Sequence, residues 1–448
     1  MAADIPGSGG MPGKRTSRPL GGLLAAMAVS LSGTGVAAIA LPWFVLVTTG
    51  SAAQTGLVAF CEMTPYVLVK TLTGPLVDRA GPRTVSWTTD LVSATAAAAV
   101  PLLHALDLLS FPVLLVLVAL IGAARGPGDL AKEVMVPEAA ERSRVPLERA
   151  AGLSGVIDRL AATVAPAVGG SLVALLGPLT SLAVNAGCFV LGSVIIGLTL
   201  PRGMGRATEP DRLSDRAAEP GYWRRFGESF TFLRGQPLLL TIGVMVAITN
   251  LLDAAFTTVL IPVWAEQSGS GPAAIGLLGS TMGAAAVAGS LIAAAAAHRL
   301  PRRAVFFTGF LLAGAPRFLA LAFDAPLGAV LAVFVVSGLG AGFLTPVLGA
   351  VLFERIPRRM LGRVNALGDS LARVGIPLGG LIAGAAVTSV GLVPVLLTGA
   401  VAYFLTTTLT GLRKEWREMD RTRGRGGAAD TAATTNAPDA TYAPVTRA

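Results

Sequence analysis

The stretch LGGLLAAMAVSLSGTGVAAIALPWFVLVTT, running from Leu20 to Thr49, contains no charged residue. A helix needs about 20 predominantly apolar residues to cross the hydrocarbon core of a bilayer, and this run exceeds that. It is too long for the apolar core of a signal peptide, and no cleavage site followed by a soluble domain comes after it. It therefore reads as a first transmembrane helix, behind a short polar tail with Lys14, Arg15 and Arg18. Working outward, runs of the same kind lie at 20–48, 53–77, 84–106, 111–131, 150–176 and 179–200, then at 237–264, 272–297, 303–323, 326–353, 362–388 and 391–412. Backbone polar groups in lipid must be satisfied within the segment, so every run is expected to be helical. Composition agrees: 53% of residues are hydrophobic and 14% charged, where a soluble globular domain carries about 25% charged residues.

The expected fold is an all-α membrane protein with twelve transmembrane helices in two pseudo-symmetric six-helix bundles. The divisions are a cytoplasmic N-terminal tail (1–19), an N-terminal bundle (20–200), a central loop (201–236), a C-terminal bundle (237–412) and a disordered C-terminal tail (413–448). Lys and Arg set the orientation. Arg79, Arg83, Arg142, Arg144, Arg149, Arg299, Arg302, Arg303, Arg355, Arg358, Arg359 and Arg363 fall in alternate loops, with seven more arginines between Arg202 and Arg234. The other loops, near 50, 107, 178, 268, 325 and 390, contain no Lys or Arg. The positive-inside rule then puts both termini in the cytoplasm of a cell membrane. It also accounts for the net charge of +9 as a basic face beside anionic headgroups, so no nucleic-acid partner is expected. Within the central loop, Tyr222, Trp223, Phe226, Phe230 and Phe232 interleave with Arg224, Arg225 and Glu228, the pattern of an amphipathic interfacial helix tethering the halves.

Several function classes drop out. The two cysteines, Cys61 and Cys188, lie in apolar runs, and the only histidines are His104 and His298. No metal site, disulfide framework or nucleophile–base constellation is expected, and there is no G-x-x-x-x-G-K-[ST] loop to hold ATP. The chain reads as neither an enzyme nor a cofactor-binding protein.

The halves echo each other about 220 residues apart. Asp78-Arg79-Ala80-Gly81-Pro82-Arg83 has its counterpart in His298-Arg299-Leu300-Pro301-Arg302-Arg303, and Pro166 with Gly169-Gly170 has one in Pro377 with Gly379-Gly380. Halves with an even number of spans are parallel repeats about an axis along the membrane normal, with substrate expected near the midplane between them.

The segment Gly74-Pro75-Leu76-Val77-Asp78-Arg79-Ala80-Gly81-Pro82-Arg83 resembles the G-x-L-x-D-R-x-G-R-R loop of the major facilitator superfamily, departing at Pro82. The resemblance implies that Gly74, Asp78, Arg79, Gly81 and Arg83 latch the cytoplasmic side. The fifth span, Ala161 to Gly170, is similar to that family's antiporter signature G-x-x-x-G-P-x-x-G-G, keeping Pro166, Gly169 and Gly170 but with alanine at both leading glycines. With Gly126-Pro127 in the fourth span, this resembles the branch that exports macrolides, siderophores and other secondary metabolites.

Ionisable residues inside spans cost about 2.5–3.5 kcal/mol each on insertion scales and mark ion or substrate pathways. Glu62 lies roughly 13 Å into the second span, where a carboxyl can load and release a proton. Lys70 is two turns further on and turned away, so a direct pair with Glu62 is not expected. Asp253, with Asn250 one turn before it, holds the equivalent interest in the seventh span, and Arg317 of the ninth is its possible counter-charge. Asp90, Arg125 with Asp129, Asp158 with Arg159, and Asp369 with Arg373 lie in the cytoplasmic halves of their spans and read as a state-dependent gate. The first span carries no charge, unlike many drug–proton antiporters.

The expected function is a monomeric, proton-coupled exporter of amphipathic small molecules, working by alternating access of two halves. Uptake of a sugar or organic acid is the alternative within the fold, and a non-transporting receptor or scaffold the alternative outside it.

Overall fold

A computed structural model describes residues 18–204, 227, 230–296, 301–356 and 361–412. The first half comprises α1 (Arg18–Thr49), α2 (Ala52–Leu72), a short α3 (Gly74–Ala80), α4 (Pro82–Ala105), α5 (Phe111–Arg142), α6 (Leu147–Leu176) and α7 (Pro178–Thr199). The second half begins with α8 (Pro237–Ala255), which passes through a π-helical turn (Phe256–Leu260) into α9 (Ile261–Gln267). It continues with α10 (Gly271–Ala296), α11 (Arg302–Ala313), α12 (Ala315–Ala322), α13 (Leu327–Arg355), α14 (Leu361–Arg373), α15 (Ile376–Val390) and α16 (Leu392–Gly411). The amphipathic segment read in the central loop lies almost wholly outside the described residues, as do the tails 1–17 and 413–448.

Among the described residues, 10 helical stretches are long and apolar enough to cross a membrane. The two other expected spans form as α2 and α4, long enough at 21 and 24 residues but less apolar. They carry Gln54, Glu62 and Lys70, and Arg83, Thr88, Thr89 and Asp90. Two boundaries depart from the sequence reading. The second expected span, 53–77, is interrupted at Thr73, whose hydroxyl donates to the Val69 carbonyl at 2.8 Å. Gly74 then opens α3 with Pro75 in its first turn, and Gly81 ends it at φ 86°, a conformation glycine adopts without strain. Pro82, the departure from the signature pattern, is the first residue of α4, where proline's fixed φ suits a helix start. The fourth expected span ends at 131, yet α5 continues to Arg142 and carries charged residues into the protein interior.

Close packing divides the described residues into two units. The first takes those of 1–220 together with Leu251–Gly283 and Arg373–Val395. Small residues let its helices meet backbone to backbone. Gly35 of α1 faces Ala165 of α6, and a Cβ at Gly33 would lie 2.6 Å from Cβ of Cys188 on α7. An apolar core of Leu23, Met27, Met135, Ala139, Ile196 and Met204 joins α1, α5 and α7 toward the basic end. At the opposite end of the helices two glycine seams close the unit. Gly56 of α2 meets the Gly380 carbonyl of α15, and a Cβ at Gly384 would lie 2.5 Å from the Ala52 carbonyl oxygen. On the other side, a Cβ at Gly170 of α6 would sit 2.7 Å from the Pro272 carbonyl oxygen and 2.8 Å from Cα of Gly276 on α10. These seams are why parts of α8 to α10 and of α15 group with the first half.

The second unit takes the described residues of Gly221–Asn250, Ala284–Ala372 and Leu396–Ala448. It uses the same device: a Cβ at Gly342 of α13 would lie 2.6 Å from the Ser290 amide of α10, and the Ser290 hydroxyl donates to the Gly342 carbonyl at 3.0 Å. The bend between α11 and α12 falls at Gly314, which lies flat against the Tyr403 ring of α16. One contact recurs in both units and expresses the repeat. Arg83 donates to the carbonyls of Leu200 (2.9 Å) and Gly197 (2.7 Å), capping the end of α7. Arg303, 220 positions later, donates to the carbonyl of Gly411 at the end of α16 at 3.1 Å. A cation at a helix C-terminus satisfies orphan carbonyls and opposes the dipole.

Candidate functional site

The site begins with a G-x-x-x-G step in α5, Gly122-Ala123-Ala124-Arg125-Gly126. Gly122 meets the Glu62 carbonyl, and a Cβ at Gly126 would lie 2.9 Å from the Tyr66 carbonyl oxygen, so α5 rides directly on the backbone of α2. That approach lets the side chains between the helices reach each other. Arg125 Nη1 donates to Glu62 Oε1 at 2.9 Å, the Tyr66 hydroxyl donates to Asp129 Oδ2 at 3.3 Å, and Lys70 Nζ donates to Glu133 Oε1 at 2.9 Å. Each pair is separated by 63 residues, the constant offset of two parallel helices in register. Glu62, Tyr66 and Lys70 step by one turn along α2, while Arg125, Asp129 and Glu133 do so along α5.

The rungs are also linked lengthwise. Arg125 Nε lies 3.9 Å from Asp129 Oδ2, and its guanidinium sits 4.5 Å from the centre of the Tyr66 ring, while Lys70 Nζ is 5.9 Å from the same ring on its other rung. Such cation–ring contacts stabilise charge in a weakly solvated setting. Exposure rises along the ladder: 11% and 16% at Arg125 and Glu62, 24% at Asp129, then 27% and 57% at Lys70 and Glu133. A continuous run of charge thus leads from the interior toward the basic end of both helices.

At its buried end the ladder borders a cavity of about 20 Å³ lined by Thr34 and Leu41 of α1, Glu62, Arg125, and Asn185 and Phe189 of α7. That is room for about one water. Asn185 is 2% exposed, and its Oδ1 has no hydrogen-bond partner among the described residues.

Further along α5, Lys132 Nζ donates to Asp90 Oδ1 of α4 at 2.9 Å and to the Ser30 hydroxyl of α1 at 3.0 Å. Both side chains are nearly sealed, at 4% and 3% exposure. Sequence reading placed Asp90 in a gate and passed over Lys132, because the expected span stopped one residue short of it. Glu133, also beyond the expected span, and the hydrogen-bonding role of Tyr66 were missed because both depend on the contact of α2 with α5. The available signal was the four-residue spacing of polar groups on two spans running in the same direction.

The other singled-out residues are placed as follows. Glu62 pairs with Arg125, and Lys70 turns to Glu133, as their angular separation on α2 requires. Gly74 opens α3, Asp78 and Arg79 are exposed near its end, and Gly81 turns the chain into α4. Asp158 and Arg159 are exposed on α6, and Asp369 and Arg373 are exposed on α14. Asn250 donates to the Ala372 carbonyl at 2.9 Å. Asp253 is half-buried one turn before the π-helical segment, and its carbonyl accepts from Thr257 at 2.8 Å. Arg317 of α12 is 2% exposed. Pro166, Gly169 and Gly170 all lie at close helix approaches: Gly169 on Val36 of α1, Pro166 and Gly170 on the glycines of α10.

Comparison with known proteins agrees with this architecture. The chain is 31% identical over 391 residues to the multidrug efflux pump Tap of Mycobacterium tuberculosis (strain ATCC 25618 / H37Rv), covering 85% of this chain and 91% of that one. It is 31% identical over 400 residues to the Tap of Mycolicibacterium fortuitum, covering 86% and 95%. Among solved structures, a mutant of the nucleoside transporter NupG matches with a TM-score of 0.72 at 14% identity, over 88% of this chain and all of that one. The family model described as Major Facilitator Superfamily matches residues 23–252 and 242–434. With that match over most of the chain, and with helical elements throughout the described residues, the chain belongs to the Major Facilitator Superfamily.

Proposed function

We propose that this transporter is a proton-coupled exporter of amphipathic small molecules such as antibiotics or secondary metabolites, and that Glu62 carries the coupling proton. In this reading twelve spans form two six-helix halves that alternate access across the cell membrane. The basic face and both termini lie in the cytoplasm, and the protein acts as a monomer. The observation that carries the coupling assignment is the Glu62–Arg125 pair at 2.9 Å beside a small interior cavity. Arginine stays charged under all physiological conditions, so only the carboxyl of this pair exchanges a proton. A proton on Glu62 weakens its hold on Arg125 and favours a different arrangement of α2 against α5, and differential affinity of this kind is what drives exchange. Export is supported by the likeness to the two Tap pumps, named as multidrug efflux pumps.

The test uses everted membrane vesicles with an imposed proton gradient, read by a pH-sensitive dye while antibiotics, dyes and siderophores are added in turn. Collapse of the gradient by particular compounds, absent with Glu62→Gln, is the expected result. Collapse that persists in Glu62→Gln removes the coupling assignment. Absence of any response to the panel, with the protein present in the membrane, turns the reading toward uptake.

A further inference from the structure

We propose that Lys132 is the positioning residue of the Glu62–Arg125 pair: held by Asp90 and Ser30 in a permanent ion pair, it fixes the rotation of α5 at which Arg125 meets Glu62. This rests on the proton-coupled reading above and supplies the fixed contact against which the proton-dependent one works.

Lys132 follows Arg125 by seven residues in α5. At 3.6 residues per turn the two cations project about 20° apart, two turns along one stripe of the helix. They are nevertheless drawn to different neighbours. Arg125 donates to Glu62 of α2, whereas Lys132 donates to Asp90 of α4 and to Ser30 of α1. The angle of α5 is thus set by polar contacts pulling to either side. Backbone contact alone does not set it. α5 meets α2 through Gly122 and Gly126 and crosses α4 at Gly128, where a Cβ would lie 2.7 Å from the Thr89 hydroxyl. Glycines permit close approach but offer no side chain to interlock. The outer shell of a helix lies about 5–6 Å from its axis, so a turn of about 30° carries a side-chain tip by about 3 Å. That is enough to part Arg125 from Glu62.

The Asp90–Lys132 pair is suited to be the fixed one. Both side chains are nearly sealed, and Gly192 of α7 closes over them: a Cβ there would lie 2.8 Å from the Ser30 hydroxyl and 3.5 Å from Asp90 Oδ2. Taking the charge from either partner leaves the other buried and unpaired, which is strongly destabilising, so the two stay charged together. Asp129 also repels Asp90 from α5, and the ammonium offsets that as well. The Glu62–Arg125 pair is more exposed and borders the small cavity, and it is the one that changes. A proton on Glu62 then loosens α5 from α2, while Lys132 keeps α5 docked on α4 and α1. The helix set free is α2, which carries Gly56 of the seam with α15. An apolar pair in place of Asp90 and Lys132 would fill the space without fixing an angle, and setting register is the best-attested use of a buried polar contact.

Electron paramagnetic resonance distances in the purified full-length protein test this without a substrate, in a background where Cys61 and Cys188 are replaced by serine. Spin labels at Leu72→Cys of α2 and Val134→Cys of α5, both exposed, report how those helices sit against each other. A second pair at Val47→Cys of α1 and Val184→Cys of α7, also exposed, reports general loosening. Lys132→Met alone strands Asp90, so the deciding variant is Asp90→Leu/Lys132→Met, which removes both charges. It is expected to shift or broaden the α2–α5 distance by about 3 Å or more, the displacement of a 30° turn, while the α1–α7 distance stays at its wild-type value. An α2–α5 distance with the wild-type value and width overturns the proposal. Equal broadening of both label pairs, or loss of the fold, also overturns it and makes Asp90 and Lys132 structural. Glu62→Gln in the same labelled protein is judged separately: a changed α2–α5 distance supports the coupled reading, and an unchanged one counts against the rearrangement proposed there, so the two assignments fail independently.

Discussion

Replacing Arg125 by methionine is expected to reduce gradient-driven export by about 100-fold or more while leaving the protein in the membrane. The substitution strands Glu62, which is 16% exposed and borders the small cavity. Removing one partner of a buried pair costs about 3–5 kcal/mol, or between two and four powers of ten in any step that needs a charged Glu62. The stranded carboxyl escapes that cost by holding its proton, which freezes the coupling cycle. Arg125→Lys is expected to fall between, since one ammonium cannot reach Glu62 and Asp129 while stacking on Tyr66 as the guanidinium does. Double replacement, Glu62→Gln with Arg125→Met, should recover thermal stability without recovering coupling. Gradient-driven efflux of a fluorescent dye substrate and thermal unfolding in detergent separate the two effects.

The second large effect is expected at Gly276. A Cβ there meets the Pro166 carbonyl and lies 3.0 Å from Cα of Gly170. Both obstacles are backbone, so neither can swing aside. Overpacking a tight contact costs about 1–3 kcal/mol, and Gly276→Leu adds a whole side chain at a backbone crossing. The seam between α6 and α10 is then held open. Export falls about tenfold or more, as 1.4 kcal/mol is a factor of ten. A cysteine introduced at Thr163, which faces Gly283 of the same seam, reacts faster with a membrane-impermeant thiol reagent once Cys61 and Cys188 are replaced by serine. Gly187→Leu on α7, where an added Cβ meets nothing within 4 Å, serves as the control and leaves both readouts unchanged.

The fold was legible because a membrane imposes few options. The charge-free run from Leu20 to Thr49 and its successors could only be helices, and the motif from Gly74 to Arg83 carried the family. Element ends were less legible. The interruption at Thr73 falls just before Pro75, which has no N–H to continue the ladder of α2, and hydropathy is blind to that. The extension of α5 to Arg142 was hidden because Lys132 and Glu133 read as the end of a span, whereas Asp90 and Ser30 make a buried lysine tolerable there.

The site was legible residue by residue but not as an arrangement. Glu62 stood out as an acid at mid-depth, and Arg125 as a cation in the fourth span, yet nothing in either helix alone joins them. The joining comes from Gly122 and Gly126, which bring two backbones into contact and fix the register for Tyr66 with Asp129 and Lys70 with Glu133. Reading Arg125 against Asp129 within one helix found the weaker contact, 3.9 Å, and missed the stronger one at 2.9 Å across helices. A stripe of polar residues at four-residue intervals on two co-directional spans is the pattern that foretells such a ladder.

The most direct test of proton coupling at Glu62 is dye accumulation in proteoliposomes holding purified protein, with and without an imposed pH gradient. The wild type is predicted to accumulate dye against its gradient only when protons can flow the other way. Glu62→Gln is predicted to exchange dye for dye across the membrane but to accumulate none in response to the pH gradient. Gradient-driven accumulation by Glu62→Gln at the wild-type level would contradict the account.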